Sequence, residues 1–107
     1  MILIVGGAFQ GKTEYAEKNF GDSYVIENHY HIKVREQLKK GLNPLEEAKK
    51  FTDNNIVIVS DEIGYGLVPV DAFEREYREI NGRVNCFFAE KAEQVIRVVC
   101  GIGTRIK

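Results

Sequence analysis

Residues 2–13 read ILIVGGAFQGKT, a run of apolar side chains followed at once by a glycine-rich loop. An unbroken apolar run from Ile2 to Val5 is typical of a strand that is covered on both faces, as in a parallel sheet. After the loop, the segment from Lys12 to Phe20 predicts a helix, and Gly21 is a suitable stop for it. The chain therefore opens with a predicted strand, loop and helix.

The loop matches the pattern G-x-x-x-x-G-K-T without a mismatch, which is the pattern of a P-loop. Glycines let successive backbone N–H groups turn toward phosphate oxygens, and the following helix adds its N-terminal dipole. Lys12 would place a charge on the β- and γ-phosphates, and the Thr13 hydroxyl would bind Mg²⁺. We therefore expect a site for Mg²⁺ with GTP or ATP. Its predicted nucleotide-binding residues are Gly6, Gly7, Ala8, Phe9, Gln10, Gly11, Lys12 and Thr13.

Apolar strands and helical patterns alternate along the rest of the chain. Further strands are predicted at 24–26, 56–59 and 95–99, and helices at 31–40, at 44–50 after Asn43 as N-cap, and in a long segment after Asp71 as N-cap. Residues 101–107 are expected to form a glycine-containing turn and a basic tail. This order predicts an α/β, P-loop NTPase-like fold with a mostly parallel sheet of about four to five strands and helices on both faces.

The fold is expected to be a single nucleotide-binding domain over residues 1–107. Ligands of such sheets bind at the carboxyl ends of the strands, where the glycine-rich loop also lies.

Composition narrows the range of partners. The net charge is −1, which offers no general attraction to nucleic acid or to an anionic membrane, so neither is expected as a partner. The apolar start is too short for a signal segment or a membrane span. Cys86 and Cys100 are isolated, which is typical of reduced, semi-buried cysteines in a cytoplasmic protein.

A P-loop also needs an acidic residue that holds the metal directly or through water. Glu27 ends the second predicted strand, and Asp61 and Glu62 follow the third. A carboxylate at that end of a parallel strand points toward the P-loop crevice, although each of these residues would serve equally well as a solvated loop carboxylate or a helix cap. Asp61 and Glu62 are candidates to act with Lys12 in catalysis.

Two histidines and two arginines lie near these motifs. One of His29 and His31 would act as a nucleophile or a phosphate ligand, or both are exposed loop side chains. Their spacing puts both on one face of a strand but apart on a helix. Arg78 and Arg83 lie away from the apolar stripe of the long helix. Arginines there either clamp phosphates of the substrate or form surface ion pairs with neighbouring glutamates.

Several stretches resemble the adenosylcobinamide kinase/adenosylcobinamide-phosphate guanylyltransferase family of cobalamin biosynthesis. Residues 62–69 match its E-[VI]-G-x-G-[IL]-V-P element, and residues 77–85 match F-R-D-x-x-G-R-x-N. Residues 100–103 match a closing S-G-[IL] element. Residues 2–13 resemble its opening strand and G-G-x-x-S-G-K-S loop, with Gln10 and Thr13 each replacing a serine.

The resemblance implies a kinase that moves the γ-phosphoryl group of GTP or ATP to a hydroxyl of a corrinoid, adenosylcobinamide. It also implies that Glu27 is the carboxylate of the nucleotide and metal site, if residues 24–28 correspond to the family's later acidic strand. A competing alignment with an earlier strand places that carboxylate elsewhere. The resemblance further implies homo-oligomers, namely trimers, and the segment 84–88 is expected to be exposed and to contribute to self-association.

The centre of the chain departs from the family. Family members carry an R-I-x-x-H segment whose histidine takes up GMP in the guanylyltransferase half-reaction, and this chain has no such motif. His29 and His31 do not match that histidine by context. Two accounts therefore stay open: a shortened kinase without guanylyltransferase activity, or a catalytically reduced nucleotide-binding relative with a regulatory role.

Overall fold

The computed structural model describes residues 1–64 and 69–107, and these contain five strands and four helices. In chain order the elements are β1 (Ile2–Gly6), α1 (Lys12–Phe20), β2 (Val25–Glu27), α2 (Tyr30–Lys39), α3 (Pro44–Ala48), β3 (Ile56–Asp61), α4 (Ala72–Lys91), β4 (Gln94–Val99) and β5 (Ile102–Arg105). Residues 65–68, the middle of the first family element, lie outside the described part of the chain.

β1 is the central strand of the sheet, whose order is β2-β3-β1-β4-β5. It runs parallel to β3 and β4, β2 runs parallel to β3, and β5 is antiparallel to β4 at the edge. The α/β class and the mostly parallel sheet are thus confirmed. The register sets Gly6 beside Asp61, and Gly6 accepts a hydrogen bond of 2.8 Å from the Glu62 N–H. The end of β3 therefore meets the start of the glycine-rich loop.

Helices on both sides of the sheet explain why all five residues of β1 are buried. Leu3 and Val5 pack into a cluster with side chains of α2, α3 and α4, whereas Ile2 and Ile4 pack on the other face, where α1 contributes Ala16. None of the helices in the described residues is long and apolar enough to cross a membrane.

The chain end differs from the expected basic tail because it forms β5. Val99 pairs with Ile102 across a two-residue turn, in which Cys100 and Gly101 have φ angles of 51° and 77°. Positive φ at both positions suits a type I′ hairpin turn, which usually carries Asn-Gly or Asp-Gly. Because this turn has Cys-Gly instead, the sequence lacks the usual indication of a hairpin.

Two expectations about exposure are wrong. Cys86 and Cys100 are exposed rather than semi-buried, because one lies on the solvent side of α4 and the other in the hairpin turn. Val84 and Phe88 are fully buried in the cluster beneath α4, so the segment 84–88 is not an exposed apolar surface. The expected self-association therefore has no support from this segment.

The N-cap of α4 provides a test of local stability. Asp71 Oδ1 accepts hydrogen bonds from the N–H groups of Phe73 and Glu74, at 2.8 and 3.2 Å. Removing a cap of this kind costs about 1 kcal/mol. We expect Asp71→Ala to lower the free energy of unfolding by about that amount, measured in urea, whereas Asp71→Asn, which keeps an oxygen acceptor, should stay near wild type.

Candidate functional site

The glycine-rich loop joins β1 to α1 in a conformation that leaves backbone donors free. Phe9 and Gly11 have φ angles of 59° and 86°, and Gly11 is the N-cap of α1 without a side-chain hydrogen bond. Because N–H groups in the first turn of a helix have no partner within it, they are available to an anion. At Gly6, an added Cβ would lie 2.5 Å from the carbonyl oxygen of Val98, so a glycine is required where β1 passes β4.

The loop is fastened to the hairpin turn at the other end of the chain. The side-chain Oε1 of Gln10 accepts a hydrogen bond of 2.7 Å from the Cys100 N–H, and its carbonyl accepts another of 2.7 Å from the Gly101 N–H. The glycine-rich loop and the closing element at residues 100–103, which are separate in the sequence, thus lie side by side. The sequence alone marked Gln10 as a predicted nucleotide-binding residue and as a replacement for serine, and did not indicate this contact.

Lys12 lies at the base of the site and is 7% exposed. Its Nζ donates to the carbonyl oxygen of Gly7 at 2.6 Å and lies 2.6 Å from Asp61 Oδ1. The aspartate reaches it because β3 ends beside Gly6. This carboxylate and this carbonyl compensate the charge of the buried lysine.

A cavity of 640 Å³ opens above this pair. The loop residues 8–13 line one side, and side chains from the ends of β2 and β3 and from α2 line the other. Within it, the Thr13 hydroxyl donates to Asn28 Oδ1 at 2.9 Å, so two neutral oxygen ligands already lie together. The described residues hold no cluster of three or more His, Cys, Asp or Glu side chains suited to a metal ion.

His31 is the residue at this site whose role the sequence left open. It lies in the first turn of α2 and is 8% exposed. Its Nδ1 accepts a hydrogen bond of 3.1 Å from the Asp61 N–H, and its Nε2 lies 3.4 Å from Asp61 Oδ2. Burial lowers the pKa of His31 more than the nearby Asp61 carboxylate raises it. The imidazole is therefore neutral near pH 7, with its proton on Nε2.

His29, in contrast, is exposed and is the N-cap of α2, with a φ of 51°. Its ring nevertheless packs edge to face on the His31 ring, with centroids 5.9 Å apart, and both histidines line the cavity. The interpretation of both as exposed loop side chains is wrong for His31.

α4 supports the contact between His31 and Asp61 from the opposite side. The Tyr77 hydroxyl donates to the carbonyl oxygen of His31 at 2.7 Å, and Asn81 Nδ2 donates to the carbonyl oxygen of Asp61 at 3.2 Å. Burial raises the pKa of Tyr77 to about 12, so its hydroxyl remains a donor at neutral pH. The sequence placed both residues in the family element 77–85, and that element was the available signal.

Comparison with known proteins fits this arrangement. Residues 23–106 match the model of the family described as cobinamide kinase / cobinamide phosphate guanyltransferase, CobU. The chain belongs to this family. The matched range begins after the P-loop, so the assignment of the loop depends on its own pattern and geometry.

Two curated relatives agree with that family. They are the bifunctional adenosylcobalamin biosynthesis proteins CobU of Salmonella typhimurium and Escherichia coli, each 46% identical to this chain over 52 residues. The aligned stretch is 49% of this chain and 29% of each relative. The chain therefore matches less than a third of the length of these proteins.

The other predicted site residues lie away from the cavity above Lys12. The Glu27 carboxylate is ion-paired with Lys33, and Glu62 Oε2 lies 3.2 Å from Arg97 Nε. Arg83 forms an exposed pair with Glu79 at 2.7 Å. Arg78 borders a smaller cavity of 180 Å³ beside the end of β3. Of the three candidate carboxylates, the structure brings Asp61 to Lys12.

The neutral state of His31 predicts a dependence of stability on pH. Because the pKa of His31 is lower in the folded chain than its ordinary value near 6.5, the unfolded chain binds more protons as the pH falls. This contribution is complete above about pH 6.5, the ordinary value, and is lost as the pH falls from there through the lower pKa of the folded chain. We expect the urea midpoint of wild type to fall more between pH 7.5 and 5.5 than that of His31→Gln; equal falls would contradict a neutral buried His31.

Proposed function

We propose that this chain is a cytoplasmic kinase that binds GTP or ATP with Mg²⁺ and transfers the γ-phosphoryl group to a hydroxyl of a corrinoid. The observation that carries the proposal is the pair formed by Lys12 and Asp61 at the base of the cavity. A cation next to a carboxylate at the end of a parallel strand supports binding of the terminal phosphates and of an acceptor beside them.

The proposed phosphate binding rests on the positive charge of Lys12 and on the N-terminus of α1. Lys12 is held by a carbonyl and a carboxylate that a triphosphate would replace as its partners. The uncapped N-terminus of α1 adds N–H donors and a positive dipole end on the same side. We propose that residues 6–13 bind the phosphates and that residues 1–107 act as one nucleotide-binding domain.

The site suits Mg²⁺, which usually retains several waters and takes only a few protein ligands next to substrate phosphates. Thr13 would hold the ion through its hydroxyl, with the neighbouring Asn28 oxygen as a further ligand. Bound Mg²⁺ neutralises charge on the β- and γ-phosphates. Glu27, the carboxylate implied by resemblance, adjoins Asn28 in sequence but would first have to leave Lys33. We therefore assign it a secondary role.

Asp61 is the residue that we assign to the acceptor hydroxyl. Its Oδ1 lies 2.6 Å from the lysine that would bind the γ-phosphate, so a hydroxyl in line with that phosphorus would lie near the carboxylate. Glu62 is paired with Arg97 and is not given this role. Arg78 borders the neighbouring cavity and would contact the acceptor, whereas Arg83 is assigned to the surface.

The acceptor class comes from the family and from the relatives' names, which specify cobinamide and adenosylcobalamin biosynthesis. The guanylyltransferase half-reaction is not proposed for this chain, because the sequence has no R-I-x-x-H segment and the Nδ1 lone pair of His31 accepts from the Asp61 N–H. Assembly into trimers remains a prediction from the resemblance, and light scattering would measure it.

The test is transfer of label. The protein is incubated with Mg²⁺ and γ-labelled GTP or ATP, with and without adenosylcobinamide, beside Lys12→Ala as a matched control. We expect label on the corrinoid with wild type only. Release of label as inorganic phosphate, or tight nucleotide binding without turnover, would favour the nucleotide-binding relative without kinase activity.

A further inference from the structure

We propose that His31 is a positioning residue that holds the Asp61 carboxylate in the orientation required by the acceptor hydroxyl. The inference rests on the proposed function, since it concerns how the same site works. It begins from a side chain that the sequence motifs did not explain: a histidine that is 8% exposed and directed at the carboxylate beside Lys12.

The imidazole contacts Asp61 at two points. Nδ1 accepts from the backbone N–H at 3.1 Å and so fixes the end of β3, and Nε2 faces Oδ2 at 3.4 Å. Each carboxylate oxygen therefore has a different neighbour: Oδ1 pairs with Lys12, and Oδ2 lies next to the imidazole. With the ring on one side and the lysine on the other, rotation about the terminal bond of Asp61 is restricted.

Nucleotide binding changes one of these partners and leaves the other in place. When Lys12 turns to the phosphates, Oδ1 is released toward the cavity while the imidazole keeps its contact with Oδ2. The backbone stays in place, since Tyr77 holds the carbonyl of His31 and Asn81 holds the carbonyl of Asp61. Nucleotide binding therefore exposes Asp61 Oδ1 to the cavity in a fixed orientation.

The chemical step is then balanced within the site. The acceptor oxygen forms a bond to the γ-phosphorus, the bond from that phosphorus to the bridging oxygen breaks, and the nucleoside diphosphate leaves. The hydroxyl proton passes to Asp61 Oδ1. His31 takes no part in bond formation, because its Nδ1 lone pair accepts from the Asp61 N–H and Nε2 carries the proton of the neutral ring.

The kinetic test compares His31→Leu, His31→Gln and wild type in the labelled transfer assay. Misplacing a reacting group by about 1 Å can cost roughly 100-fold in rate. We expect His31→Leu to lower kcat by about that factor while the Kd for nucleotide changes less than about threefold. His31→Gln, whose amide can donate toward Oδ2, should recover about tenfold of the lost rate.

A matched control separates this effect from general damage to α2. Glu36→Leu also introduces a leucine into α2, at an exposed position, and should leave kcat unchanged. If wild type is active and His31→Leu has the same kcat, the positioning role alone is overturned. A wild type that binds nucleotide but transfers no label to the corrinoid would overturn the proposed function and this role with it.

A measurement on the unaltered protein covers the case in which His31→Leu fails to fold. Long-range ¹H–¹⁵N spectra identify the protonated nitrogen of a histidine ring. At pH 7.5 we expect His31 to carry its proton on Nε2, as required by the Asp61 N–H donating to Nδ1. A proton on Nδ1 would contradict the arrangement and overturn the proposal.

Discussion

Lys12→Ala is expected to weaken the binding of GTP and ATP by about 100-fold or more. Hydrogen bonds to a charged group contribute about 1.5–3 kcal/mol, and a tenfold change in Kd corresponds to about 1.4 kcal/mol. Lys12 is also the cation that separates the Asp61 carboxylate from an incoming phosphate, since its Nζ lies 2.6 Å from Oδ1. Its removal leaves two anionic groups facing each other.

Isothermal titration calorimetry with non-hydrolysable GTP and ATP analogues in Mg²⁺ measures this change. Lys49→Ala is the control, because Lys49 is exposed and pairs with Glu46 at 3.1 Å, away from the cavity. The double variant Lys12→Ala with Asp61→Asn should recover part of the affinity by removing the facing carboxylate. A Kd for Lys12→Ala within threefold of wild type would contradict the P-loop assignment.

Asp61→Asn is expected to lower kcat for phosphoryl transfer by about 100- to 10,000-fold, the usual contribution of a positioned general base. Affinity for nucleotide should stay the same or rise, because the substitution removes a negative charge near the phosphates. The change is nearly isosteric, and Asn can still accept from Lys12 through its oxygen. A loss of rate without a loss of binding is therefore the diagnostic result.

Glu62→Gln is the matched comparison, since it alters the adjacent carboxylate by the same chemistry. Its partner is Arg97, and it lines the smaller cavity with Arg78 rather than the cavity above Lys12. We therefore expect Glu62→Gln to act on the KM for the acceptor, with kcat changed less than about threefold. Equal losses in both variants, or an unchanged kcat in Asp61→Asn, would refute the separate role of Asp61. Rates are measured at saturating nucleotide, with Kd determined for each variant.

The strand pattern and the glycine-rich loop were enough to predict the fold class, because short continuous apolar runs that alternate with helical segments are typical of parallel sheets covered on both faces. The choice among three carboxylates was not predictable. Asp61 and Glu62 are neighbours, so their side chains leave the end of β3 in different directions, and the register between β1 and β3 decides which one meets Lys12. Residue type says nothing about that register.

Long-range contacts account for the other differences. The position of His31 depends on a hydrogen bond to a residue 30 positions away, and α4 reaches the same site through Tyr77 and Asn81. The hairpin that ends in β5 depends on a turn with an unusual cysteine. In each case the local signal was weak, and tertiary packing determined the outcome.

Gln10 links the phosphate loop to the edge of the sheet through its two hydrogen bonds to the turn at Cys100 and Gly101. By thermodynamic reciprocity, an anion that orders this loop must also protect the hairpin against opening, and disorder in the hairpin must lower affinity for the anion. For the phosphate site proposed above, the turn at Cys100 and Gly101 would therefore influence affinity without touching the ligand.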